Sequence, residues 1–269
     1  MARRSSEPDF IEALARGLDV LRAFEPRQPV LSLSDVAART DLARPTARRI
    51  LLTLSELGYV RGENGGFTLT PRVLELGMAF IQSLGLWEVA RPHMERLVGW
   101  TNESTSIAQL DGSDIVYVAR VAVPKIVGLA VSIGTRFPAL PTSLGKVLLA
   151  ALEPDELKKV LAEPSRSGVT PRVQPDPKSI DKMLRDVRAK GWALTDEQLA
   201  AGIRSVAAPL RNGDGKVVAA LNVNTSAAET SVDTLIEHHL PRLLQTAAAI
   251  SADWARLHSV PHVVAAVPS

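Results

Sequence analysis

Along residues 11–24 apolar side chains recur three and four apart, at Ile11, Leu14, Ala15, Leu18, Leu21 and Phe24, with Arg16, Asp19 and Arg22 elsewhere on the turn. That spacing predicts an amphipathic helix, ended by Pro26 and Pro29, whose role is to support the helix pair after it. Ser32 opens a second, short helix. Asp35 stands three residues on, as a capping box requires, and Val36 and Ala37 face inward. Asp41 and Leu42 break the pattern. A third helix begins near Arg44, with Pro45 in its first turn, where a missing N–H costs nothing. Ala47, Ile50, Leu51, Leu54 and Leu57 form its inward stripe. Its other side carries Pro45, Arg48, Arg49 and Leu52, with Arg44 and Thr46 near the N-terminal end. Gly58 ends it. The β-prone pieces Tyr59-Val60-Arg61 and Phe67-Thr68-Leu69 flank Glu63-Asn64-Gly65-Gly66, a hairpin tip. Together these pieces describe a winged helix-turn-helix over 10–70, behind a flexible arm of residues 1–9.

Thr70-Pro71 restarts a helix, the linker of residues 71–85, with Val73, Leu76, Phe80 and Leu84 on one side and Gly85 interrupting it. Such a stripe needs cover, and dimerisation is the favoured reading. Leu86, Val89, Ala90, Met94, Leu97 and Val98 mark a further helix. Then period-two patterns take over. Residues 105–110 and 115–122 read as antiparallel strands around an Asp-Gly-Ser-Asp turn, and 126–132 as a third strand. Residues 134–141 read as a loop carrying Arg136 and Phe137. Thr142 or Ser143 caps a helix over 144–151, with further helices at 154–161 and 179–190. Strands 203–210 and 217–225 flank Asn212-Gly213-Asp214-Gly215, a second hairpin signal. A long helix covers 229–254. The second domain, 86–256, is therefore an α+β module with a twisted antiparallel sheet flanked by helices, and 257–269 a loose tail.

Length and charge narrow the function. At 269 residues the chain suffices for two cores, and a net charge of +2 does not advertise nucleic acid. The basic signal is local, on the third helix. A helix fits the major groove, and arginine's forked donors match guanine or a phosphate. Arg44, Thr46, Arg48 and Arg49 are the candidates for base or phosphate contacts, and Arg61 for a wing contact. With no cysteine, disulfides, thiol nucleophiles and cysteine-ligated metals are excluded. No apolar run is long enough to span a membrane, and a cytoplasmic protein is the default.

Little points to an enzyme. None of the five histidines stands in a metal-ligand pattern, Ser143-Leu144-Gly145-Lys146 is neither a nucleophile elbow nor a P-loop, and no cofactor is implied. A small-molecule pocket reads better. Asn222 and Asn224 are spaced by two in an apolar strand, so both point to one side, and burying them requires partners. Ser205 joins them. Arg120, Arg136 and Arg204 are the cations available to a carboxylate. The plainer alternatives are asparagines bonded to loops and arginines facing solvent or held in structural ion pairs.

The segments A-L-A-R-G-L-D-V-L, L-S-L-S-D-V-A-A-R-T-D-L, T-A-R-R-I-L-L-T-L-S-E-L-G-Y-V, T-S-L-G-K-V-L-L-A, G-I-R-S-V-A-A-P-L and G-K-V-V-A-A-L-N-V resemble the IclR family of bacterial transcriptional regulators, from about Phe10 to Trp254. N-E-S-T-S-I-A-Q-L-D-G-S-D-I-V-Y-V-A-R and S-I-G-T-R-F-P-A look most like its protocatechuate and 4-hydroxybenzoate branch. The resemblance implies a winged helix, a linker helix and a GAF-like effector domain. It implies dimers, often dimers of dimers, on palindromic DNA, with RNA polymerase as a further contact. It also implies effector contacts at Thr195, Ser205, Asn222 and Asn224, beside the loop Thr142, Ser143, Leu144 and Gly145, with ring contacts from Phe137 and Tyr117. Many members carry cysteine at the Ser205 position and some aspartate at the Thr195 position, so bound metal is not expected. The implied effector is a small aromatic acid, with a non-aromatic acid as the alternative. A docking module using the winged helix is the other class.

Overall fold

The computed structural model describes residues 9–25, 27–124 and 131–259. Of the expectations above, those for residues 1–8 of the arm, for Pro26, for residues 126–130 of the third strand and for residues 260–269 of the tail lie outside the described residues, and residues 131–132 are not in a strand. The chain divides into two compact units, 1–83 and 84–269.

In the first unit, helix α1 (Glu12–Arg22) precedes strand β1 (Val30–Leu31), helices α2 (Leu33–Thr40) and α3 (Arg44–Glu56), and the hairpin β2 (Val60–Glu63) and β3 (Gly66–Leu69). The capping box forms. Ser32 Oγ accepts from the Asp35 amide at 3.1 Å, and Asp35 Oδ2 accepts from the Ser32 amide at 2.9 Å. The Ser32 hydroxyl also donates to Asp35 Oδ2 at 2.7 Å, and this bond, with that from the Ser32 amide, holds the Asp35 carboxyl below its ordinary pKa. Asp41 takes the left-handed conformation that turns α2 into α3. Asn64 and Gly65 do the same at the hairpin tip, as a two-residue turn demands. Val20, Leu31, Val36, Ala47, Leu51, Leu54 and Val60 form the core. Arg39 ties α2 to the end of α1 by donating to the Ala23 carbonyl at 2.7 Å.

Two stripes are narrower than expected. Ile11, Leu14 and Leu18 are exposed, because this small core covers α1 only around Val20. Leu57 is exposed too, since it follows the last turn of α3 as its C-cap. The strand β1, which pairs with β3, is too short at two residues to carry a periodic signal. Helix α4 (Val73–Leu84) then carries the exposed Leu74, Leu76 and Met78.

The second unit is organised by one six-stranded sheet. Gly85, left-handed, starts helix α5 (Leu86–Thr101). Strands β4 (Ser104–Asp111), β5 (Asp114–Val121) and β6 (Arg136–Pro138) lead to helices α6 (Ser143–Ala150), α7 (Pro154–Ala162) and α8 (Pro177–Lys190). Strands β7 (Ala193–Asp196), β8 (Ile203–Arg211) and β9 (Val217–Ser226) come next, then a turn of helix α9 (Val232–Thr234), a π turn (Leu235–His239) and helix α10 (Leu240–Ser259). The order is β6-β5-β4-β9-β8-β7, antiparallel throughout. Residues 136–138 form the edge strand β6 where a loop was expected, and the other edge strand, β7, ends at Asp196. Both are too short for periodicity and exist because β5 and β8 offer hydrogen bonds.

Helices α5 and α10 cover one face of the sheet, burying Leu97, Ile107, Leu221, Val223, Leu243 and Ile250. On the other face α6 and α8 pack on Ala108, Ala207 and Ala220, whose small side chains admit a helix closely. Gly145 completes that fit: a Cβ there would fall 2.1 Å from the Ala139 carbonyl oxygen.

Candidate effector pocket and DNA-reading helix

Beyond the alanines, the α6 face of the sheet turns polar. The strand register aligns Thr195, Ser205, Asn224 and Ser104 in one row across β7, β8, β9 and β4. The adjacent row reads Ala207, Asn222, Ser106 and Arg120 across β8, β9, β4 and β5. Thr195, Ser205, Asn224 and Ser104 of the first row, with Asn222 and Arg120 of the second, floor a cavity of about 280 Å³, closed by Phe137 of β6, by Thr142, Ser143 and Leu144 at the start of α6, and by Leu199 and Ile203. Such a volume suits a small ligand, just below the roughly 300–1,000 Å³ common to such sites.

A bulge places the cation. In β5 Ala119 pairs with Ile107 and Tyr117 with Ala108, leaving Val118 as an extra residue between them, so the register shifts there. Tyr117 and Arg120 stand three apart and would face opposite sides of a regular strand. The extra residue brings both into the cavity. Arg120 Nη1 donates to Ser106 Oγ at 2.9 Å, and burial lowers the pKa of its guanidinium. Burial pushes the Tyr117 hydroxyl up to about 12, against the pull of Arg120 and a hydrogen bond with Asn224. Tyr117 meets Phe137 edge to face, with ring centroids 5.8 Å apart.

The remaining polar groups are partnered as burial demands. Asn222 is 2 % exposed, and its Oδ1 accepts from the Ser106 amide at 3.0 Å. Ser205 Oγ lies 2.7 Å from Ser143 Oγ and 2.9 Å from Thr195 Oγ1, a chain of three hydroxyls. Thr142 caps α6 by accepting from the Gly145 amide at 3.0 Å.

Two expected cations are elsewhere. Arg136 sits beside Phe137 in β6, so with Phe137 facing the cavity Arg136 faces away; Nη1 is 2.6 Å from Asp111 Oδ2, and Nε lies 3.4 Å from Asp114 Oδ2. Arg204 alternates with Ser205 in the same way, donating to Asp196 Oδ1 at 2.7 Å and to the Thr230 carbonyl. Gly145 lies behind the lining, against Ala139. Among the described residues no cluster of metal-ligating side chains is found.

In the first unit, α3 presents Arg44, Pro45, Arg48 and Arg49 to solvent, with Leu52 47 % exposed beside them and Thr46 half-buried. None of the three arginines has an ion-pair partner among the described residues. Arg61 on the hairpin is exposed and lies 3.2 Å from Glu63.

Comparison with known proteins finds one family over both regions. The model of the IclR helix-turn-helix domain matches residues 13–63, and that of the C-terminal domain of bacterial IclR transcriptional regulators matches residues 78–252. The chain belongs to the IclR family of bacterial transcriptional regulators. Among IclR relatives, the Pca regulon regulatory protein of Pseudomonas putida is 38 % identical over 241 residues, covering 89 % of this chain and 83 % of its own. The p-hydroxybenzoate hydroxylase transcriptional activator of Acinetobacter baylyi is 34 % identical, covering 89 % and 90 %. Of solved structures, a Rhodococcus sp. RHA1 transcriptional regulator superposes with a TM-score of 0.80 at 48 % identity, covering 92 % of this chain and all of that one. An IclR homolog from Microbacterium hydrocarbonoxydans, complexed with 4-hydroxybenzoate, superposes with a TM-score of 0.78 at 28 % identity, over 91 % and 100 %.

Within this IclR chain the cavity gathers Arg120, Phe137, Thr142, Ser143, Leu144, Thr195, Ser205, Asn222 and Asn224, and omits Arg136, Gly145 and Arg204. Ser104 joins the lining without having been expected there, and Ser106 supports it from behind through Arg120 and Asn222; the two carry the signal that singles out Asn222 and Asn224, polar residues two apart in a buried strand. Leu199, Val123 and Val131 bear no such mark, lying between strands.

Proposed function

We propose that this chain is a ligand-responsive, sequence-specific regulator of genes for aromatic-acid breakdown, and that its effector is a small aromatic carboxylic acid held in the cavity. One observation carries the reading. Arg120 is drawn into a largely enclosed site where it bonds a hydroxyl and has no carboxylate partner among the described residues. A half-buried guanidinium of this kind gains a countercharge when an anion arrives. The acid's carboxylate takes Arg120. Tyr117 and Phe137 flank its ring, while Thr195, Ser205, Asn222 and Asn224 orient its substituents and Thr142, Ser143 and Leu144 at the start of α6 close over it. The Pca and p-hydroxybenzoate relatives and the 4-hydroxybenzoate complex favour the same chemical class.

On the DNA side, α3 enters the major groove with Arg44, Thr46, Arg48 and Arg49 on bases or phosphates, and Arg61 reaches phosphate or minor groove. The exposed apolar residues of α1 and α4 support a homodimer on a palindromic operator. The test is a gel shift on the intergenic DNA beside the gene, with protocatechuate, 4-hydroxybenzoate, phenylpropanoid acids and β-ketoadipate. Occupancy of one palindrome changes with one of the acids, and Arg120→Met weakens that acid on the order of 10- to 100-fold in calorimetry. Undiminished affinity in Arg120→Met removes the assigned role; a response to a non-aromatic acid alone replaces the effector class.

A further inference from the structure

We propose that a cleft bounded by α8, the start of β7 and the π turn is a second small-molecule site, built for a dianion with an apolar body. It encloses about 460 Å³ and shares no lining residue with the effector cavity. Lys146, Lys182, Lys190 and Asp186 supply its charges, and Trp192 and Ile236 its principal apolar walls.

Lys146 is the centre of the argument. It stands one turn of α6 beyond Ser143 and is 4 % exposed. Its Nζ donates to the Leu194 carbonyl at 3.1 Å and to Gln198 Oε1 at 2.6 Å. Both acceptors are neutral, and an ammonium has three N–H groups, so one donor lacks an acceptor among the described residues. Tethering an edge strand needs only a neutral donor. A buried positive charge without a countercharge is costly, and an incoming anion relieves that cost. Burial holds the Lys146 pKa at about 8, so the group stays mainly cationic at neutral pH.

The rest of the cleft completes the charge count. Lys182, Asp186 and Lys190 recur four apart on α8 and so share one face. None of them, nor Lys146, has an ion pair within the described residues. Three ammonium groups against one carboxylate leave two positive charges, the match for a dianion. The walls account for the apolar body. Trp192 presents its ring with Lys190 Nζ 5.7 Å from the centroid, and Met183 and Val187 extend the apolar surface.

The test is calorimetry on the full-length protein at pH 7, with adipate and inorganic phosphate as probes and chloride at matched ionic strength as control. Adipate binds saturably, and phosphate binds more weakly because it lacks the apolar segment. Lys182→Gln with Lys190→Gln, both exposed positions, weakens adipate by about tenfold or more while leaving the aromatic acid untouched. Arg120→Met keeps full adipate affinity. Lys146→Met abolishes adipate binding while its circular dichroism is unchanged. No saturable heat with adipate overturns the site, as does adipate binding that survives in the double variant. Adipate lost with Arg120→Met assigns it to the effector cavity and overturns the second site. Phosphate as tight as adipate removes the apolar body from the proposal.

Discussion

The two units place their polar chemistry in opposite ways. On α3 the arginines stand in solvent, on one helix and within six residues of one another. In the effector cavity the polar groups are mostly buried and come from β4, β5, β7, β8, β9 and the start of α6. The first arrangement suits a ligand that brings its own charge and geometry, such as a duplex, and needs only a rigid helix to display donors. The second suits a small molecule that must be desolvated on all sides, so the fold has to supply the partners. The difference governs how each fails. A surface donor can be removed with little effect on folding, whereas a cavity group also satisfies its neighbours.

The sharpest break is expected on the exposed side. Arg48→Ala with Arg49→Ala removes two donors worth about 1–3 kcal/mol each if both read bases, so operator affinity falls on the order of 100-fold or more. Acid binding and thermal unfolding stay as they were. Loss of stability instead, in a calorimetric scan, would mean that the two arginines hold the fold.

Gly145→Ala tests the buried side. The added methyl meets the Ala139 backbone, which cannot yield as a side-chain tip can. Overpacking of this kind costs about 1–3 kcal/mol. The unfolding midpoint of the effector unit falls by several degrees and acid affinity drops, while the winged helix keeps its own helical signal. An unchanged midpoint would mean that α6 can shift away from residue 139.

The last and most gradual effect is read against pH. Lys146 has a folded pKa of about 8 against an ordinary value of 10.5. Between those values the unfolded chain holds the extra proton, so stability rises with pH across that window, and the burial penalty is fully present below it. The slope is at most about 1.4 kcal/mol per pH unit. Subtracting the urea-derived stability of Lys146→Met isolates it. A flat difference from pH 8 to 10 would show that the amine is solvated in the fold.

The same contrast explains what is legible in the residues alone. The capping box at Ser32, Pro45 at a helix start and the Asn-Gly turns are local instructions, and each acts within four residues. So the winged helix and both hairpins are readable from the chain. Asn222 and Asn224 are legible because a strand has a fixed period. Only its charge marks Arg120: that it enters the cavity with Tyr117 depends on a bulge created by pairing with β4. That Arg136 and Arg204 face aspartates depends equally on which neighbour faces inward. Strands β1, β6 and β7 run to four residues at most and are made by their partners, which no local pattern records.

The hydroxyls of the cavity do more than set affinity. In the chain Ser143–Ser205–Thr195 each contact joins two hydroxyls, and in each either oxygen can give the proton. Rotating three O–H bonds reverses the sense of the whole chain without moving a heavy atom. That end of the cavity therefore meets a guest's donor or its acceptor with equal ease. A guest seated there would find a partner at the same position for either a donor or an acceptor.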